Sequence, residues 1–155
     1  MKKILILLLV VGLGYFVYAN YFNENIQEFE NSSYGYKFSY DANKYTVLIK
    51  DNDLSKIQIT TNPGDVPSGA MTICEKNKNP DCDGLKKYFE IMAPIQKSRN
   101  VNIGGIELNI LEGEGKEGIT SVFAEIDHDK NTFIVVSSFV GDKFWNKFVE
   151  TFSFN

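Results

Sequence analysis

The chain has 155 residues, 43% of them hydrophobic and 23% charged. That balance excludes wholesale disorder and leaves room for one domain with a modest core once the N-terminus is set aside. Lys and Arg number 16 against 20 Asp and Glu; without Lys2 and Lys3, which precede an apolar run, the remainder carries 14 against 20, a balance of −6. Such a surface, with Arg99 as its single arginine, argues against nucleic-acid binding and against adhesion to anionic lipid through a basic patch.

Met1-Lys2-Lys3 is a short basic head on an uncharged stretch reaching Ala19. Its apolar body is Ile4, Leu5, Ile6, Leu7, Leu8, Leu9, Val10, Val11, Leu13, Phe16 and Val17. A run of this kind belongs in a bilayer or a translocon, and the positive flank is expected to stay inside. Residues 1–22 are therefore read as a transmembrane or signal helix, with the rest of the chain outside the cytoplasm. Val17 and Ala19 have the small-residue spacing of a signal-peptidase site, whereas Tyr15, Phe16, Tyr18, Tyr21 and Phe22 resemble the aromatic belt of a retained anchor. A single-pass anchor and secretion after cleavage near Ala19 both remain open. Residues 23–33, with Glu24, Glu28 and Glu30, are expected to form a polar tether, in part helical through Ile26 and Phe29. Asn31-Ser32-Ser33 is an acceptor sequon for N-glycosylation.

The domain is expected over 34–155. Tyr34, Tyr36, Phe38 and Tyr40 alternate with small or polar residues, the period of a strand with one aromatic face. Asp41 to Lys44 reads as a turn and Tyr45–Ile49 as a second strand. A turn at Asp51-Asn52-Asp53 leads to a third strand, Lys56–Thr61. Asn62-Pro63-Gly64-Asp65 marks a loop before a short strand at Ala70–Cys74. Leu85, Tyr88, Phe89 and Met92 then fall at helical spacing, with Asp81 or Asp83 as N-cap and Pro94 as the stop. Strands follow at roughly 100–103 and 106–112, joined through Gly104-Gly105. Gly113 to Gly118 reads as a flexible turn. Residues 119–127 and 131–138 form a hairpin about His128, and Gly141-Asp142 opens a final helix with Phe144, Trp145, Phe148 and Phe152 on one side. The order predicts an α+β fold, an antiparallel β-sheet flanked by helices.

The opening Tyr36-Lys37-Phe38-Ser39-Tyr40 and Tyr45-Thr46-Val47, the mid-chain Ile103-Gly104-Gly105-Ile106, and a closing helix running into Phe152-Ser153-Phe154 resemble the PsbP-like domain. The resemblance covers roughly Tyr34 to Asn155. It implies a central antiparallel sheet between helices in an exported or membrane-anchored bacterial protein. The family usually has Pro and then Trp in its first hairpin, where this chain has Asp41-Ala42 and Tyr45. No functional residue of the family maps onto this sequence.

Cys74 and Cys82 are the only cysteines, and outside the cytoplasm an even count favours a disulfide. His128 is the only histidine, so paired-histidine zinc sites are absent and Asp127-His128-Asp129 reads as a solvated hairpin tip. Asp51-Asn52-Asp53-Leu54-Ser55 begins like a calcium loop, but Lys56 stands where the sharp turn needs Gly and Asn62 where the closing Glu belongs. The Glu112 to Gly118 stretch reads as a polar turn before it reads as a calcium site. Tyr34, Tyr36, Tyr40 and Trp145 are expected in the core, with a sugar- or peptide-binding platform as the alternative. No catalytic, cofactor or metal set is recognisable. The expected function is a non-enzymatic extracytoplasmic interaction module, with the membrane (through the N-terminal helix) and an envelope or extracellular protein as partners. The alternatives are an exported hydrolase using dispersed carboxylates or His128, and a structural envelope subunit; a pilin form lacks its Gly-Phe-x-x-x-Glu cleavage pattern.

Overall fold

Alternation at period two builds most of this molecule. In Ile57 and Ile59, Met71 and Ile73, Val122, Ala124 and Ile126, and Phe133 and Val135, every second residue of a strand is buried on one common face. The computed structural model describes residues 24–61, 70–115, 118–138 and 143–155. The expected anchor at 1–22 with its Val17 and Ala19 cleavage site, the Asn62 to Asp65 loop and the Gly141-Asp142 helix start lie outside the described residues.

The strands are β1 (Ile26–Asn31), β2 (Tyr36–Asp41), β3 (Tyr45–Ile49), β4 (Lys56–Thr61), β5 (Ala70–Glu75), β6 (Ile95–Ile103), β7 (Ile106–Glu114), β8 (Thr120–His128), β9 (Asn131–Ser137) and β10 (Ser153–Phe154). The helices are α1 (Cys82–Met92) and α2 (Lys143–Thr151), and a short 3-10 turn covers Lys50–Asn52. Seven strands form one sheet in the order β3-β4-β5-β9-β8-β7-β6 and three form a second, β1-β2-β10, with every adjacent pair antiparallel. Among the described residues the architecture is α+β, mostly antiparallel sheet with two helices.

The main core lies on the inner face of the large sheet. There the sheet meets Tyr36 and Phe38 of β2, Phe144, Trp145 and Phe148 of α2, and Phe152. Phe148 stands edge-on to Phe38 at 5.5 Å, and Tyr36 stacks on Phe152 at 5.5 Å. Tyr36 and Trp145 are thus core, and Tyr34 and Tyr40 pack against it half-buried. A smaller cluster on the outer face joins Cys74, Phe123 and Ile134 to Cys82, Phe89 and Ala93, so α1 covers the sheet from the other side.

Two sequence expectations are corrected. Residues 26–31 are a strand of the domain, neither tether nor helix. Phe29 pairs with Phe38, rings 5.3 Å apart, while Glu28 points outward to Lys37 at 3.4 Å. The acidic residues that suggested a linker are the solvent side of an edge strand. The sequon residue Asn31 is buried and donates to Tyr36 Oη (3.0 Å) and to the Leu54 carbonyl (2.9 Å), so its amide is committed to the fold.

The second correction concerns strand bounds, expected at roughly 100–103 and 106–112 with a flexible turn from Gly113. β6 begins earlier, at Ile95, and β7 runs on to Glu114. Lys97 sits opposite Glu112 and Arg99 opposite Ile110, turning two cations to the side on which Glu112 is buried. Lys97 Nζ lies 2.8 Å from Glu112 Oε2, and Arg99 Nε donates to Glu112 Oε1. Charged residues on this register look wrong for a strand until their common partner is seen.

Candidate functional site

Cys74 and Cys82 are disulfide-bonded with their Cα atoms 5.7 Å apart, fixing the start of α1 to the end of β5. Asp81 stands at the N-cap without a capping side-chain bond; its carboxylate instead receives Lys56 at 2.8 Å. At its other end α1 stops where the Ala93 carbonyl lies against Gly113, so close that a Cβ on that glycine would sit 2.0 Å from the oxygen. The helix is therefore held at both ends, and it touches the sheet along a narrow stripe of Cys82, Phe89 and Ala93.

That stripe is narrower than the helical spacing of Leu85, Tyr88, Phe89 and Met92 predicts. Phe89 is 1% exposed and Leu85 half-buried, but Tyr88 is 59% and Met92 52% exposed, and Ile91 reaches 68%. The outer face beside the helix explains why. The outward residues of β4 and β5 include Gln58 and Thr72, which offer little apolar surface to bury against. The result is a half-open groove of about 360 Å³, with Leu85, Tyr88, Met92, Ile119 and Val136 as apolar walls and Gln58, Thr72, Ser121 and Ser138 as polar floor. An apolar wall over hydroxyl and amide groups suits a ligand with apolar side chains on a hydrogen-bonding backbone.

The other chemistry-bearing residues stand apart from this groove. His128 ends β8 with its ring stacked on Phe154, centroids 3.7 Å apart, and Nε2 is 3.6 Å from the Asp129 carboxylate. It closes the last rung of the β8–β9 hairpin, whose Asp127 and Asp129 are exposed as expected of a solvated tip, while the stacked His128 side chain keeps 31% exposure. Asp53 is occupied in a local turn, accepting from the Ser55 amide (2.9 Å) and from Asn79 (3.2 Å). The Ser55 hydroxyl first, then these bonds, hold its carboxyl below the usual range. Among the described residues no group of three His, Cys, Asp or Glu could hold a metal ion.

Three buried polar groups serve the fold. Burial opposes ionisation of Glu112, but hydrogen bonds from Lys97 and Arg99 outweigh it and hold the carboxyl below its ordinary value. Burial drives the Tyr36 phenol far upward, against the smaller effect of its bond to Asn31. Glu75, 1% exposed, accepts from Asn77 (3.2 Å) and from the Thr132 amide (3.4 Å), tying β5 to β9. None of the three lines the groove, whose signal in the sequence was only the apolar spacing of α1. No protein-family model matches the chain, and no curated protein matches it.

Proposed function

We propose that this is a non-enzymatic interaction module of PsbP-like type, held at the outer face of a membrane by the apolar segment of residues 1–22 and engaging an envelope protein through the α1 groove. The observation that carries it is the apolar wall of Leu85, Tyr88 and Met92, left uncovered on a domain whose other aromatic side chains are mostly packed away. The antiparallel sheet with a helix on each face supports the family reading, and the buried disulfide supports an oxidising compartment. The hydrolase alternative has no comparable support, since His128 is stacked on Phe154 away from the groove.

Photo-crosslinking tests this. A benzoylphenylalanine at position 88 of the full chain, irradiated in native membranes, is expected to capture a discrete protein that the same residue at Lys78 does not. Equal yields at the two positions would remove the groove from the proposal. Recovery of the chain from the cytosol with both thiols reduced would remove the compartment.

A further inference from the structure

We propose that the domain binds a monovalent cation of the sodium class between its two sheets, held by Glu75 Oε2 and Asn31 Oδ1. The site is remote from the α1 groove and independent of any partner there.

The strand ends bring these two side chains together. Cys74 belongs to the outer cluster, so Glu75, the next and last residue of β5, turns to the inner face of the large sheet. It sits opposite Phe133 of β9, and its backbone N–H donates to the Ser55 carbonyl at 2.7 Å. Asn31, the last residue of β1, comes from the small sheet. Its side-chain nitrogen donates to the carbonyl of Leu54, the neighbour of Ser55, and to Tyr36 Oη. The Tyr36 ring in turn meets Phe133 edge-on at 5.4 Å, and Tyr34 does the same at 6.2 Å. Contacts therefore run in a closed circuit through Glu75, Ser55, Leu54, Asn31, Tyr36 and Phe133, and back to Glu75.

Two acceptors in this circuit have no donor. Asn31 is 0% and Glu75 1% exposed. The Asn31 nitrogen is spent on Tyr36 and Leu54, while the bonds from Asn77 and from the Thr132 amide both go to Glu75 Oε1. Asn31 Oδ1 and Glu75 Oε2 accept no hydrogen bond from any described residue. Buried polar atoms are normally satisfied, and a buried carboxylate is costly unless a positive charge accompanies it. Glu112, similarly buried, has Lys97 and Arg99. Among the described residues no lysine, arginine or histidine forms an ion pair with Glu75.

The charge is felt nearby: the Tyr34 phenol is pushed upward by burial first, then by Glu75 and Asp53. A water could donate to both orphan oxygens but would leave that charge in place, whereas a cation answers both needs. One buried carboxylate with neutral amide oxygen balances a single positive charge. Calcium takes about six to eight oxygens, commonly from several carboxylates, which this circuit does not supply. The donor set also lacks the three His, Cys, Asp or Glu side chains of a transition-metal site, in keeping with a hard, weakly held ion.

Thermal unfolding of the full chain in detergent micelles, with sodium chloride exchanged for choline chloride at equal ionic strength, tests this. The midpoint is expected to fall by about 3 °C without sodium. Glu75→Gln, which removes the buried charge, is expected to melt alike in both salts. An unchanged wild-type midpoint means that water alone serves the two oxygens, and it overturns the proposal. An equal fall in Glu75→Gln overturns it too, by tracing the effect to the surface, as does a rise with calcium that sodium does not produce. Should the variant fail to fold, the sodium NMR line of the wild type decides. It is expected to be broader with folded protein than with the urea-unfolded chain, and equal widths overturn the site.

Discussion

At the scale of single residues, Gly113 is decided by space. Alanine would put its Cβ against a backbone oxygen that ends α1 and cannot yield as a side chain would. Gly113→Ala is expected to cost about 3 kcal/mol or more, the upper range of overpacking. Urea denaturation checks it, and a loss below about 1 kcal/mol would mean that α1 simply shifts. Glu112 is decided by charge. Its folded carboxyl titrates below its unfolded value, so its contribution is complete above the ordinary carboxylate range and disappears as pH falls through the folded value. Both partners are partly exposed, 66% for Lys97 and 45% for Arg99, which moderates the magnitude. Glu112→Gln is expected to lose about 1–2 kcal/mol at pH 7. The two proteins should converge once pH falls below the folded value, and a gap that persists there would mean that shape and not charge is responsible.

At the scale of elements, the disulfide closes a short loop between β5 and α1. Restricting that loop in the unfolded chain is worth ~2.5 kcal/mol. The double variant Cys74→Ala, Cys82→Ala should lower the unfolding free energy by that amount and speed amide exchange at the start of α1. An unchanged urea midpoint would refute the estimate. These elements differ in how openly the sequence declares them. β3 and β4 were legible to the residue, because aromatic and β-branched side chains fill them and a turn bounds each. β1 was hidden because only Phe29 and Asn31 face inward and the partner that explains them is on β2. The first half of β6 was hidden because Lys97 and Arg99 point to an inward carboxylate thirteen or more residues away. The groove could not be read at all: helical spacing tells which side chains share a face, and the polar floor that leaves them uncovered belongs to β4 and β5.

At the scale of the whole molecule, β2 is the middle strand of the small sheet, with β1 on one side and β10 on the other. Both flanking strands run antiparallel to it, so Glu24 and Asn155 emerge at opposite ends of the molecule. A force applied between those two residues would drag β1 and β10 past β2 in opposite senses. All six β1 rungs would then bear it together, where a sideways pull opens them singly from Ile26↔Asp41. The fold should thus behave as a stiff link when stretched end to end, and single-molecule pulling between residues 24 and 155 should meet a higher rupture force than pulling between 24 and 45. Comparable forces in the two geometries would show that the small sheet carries no such tension.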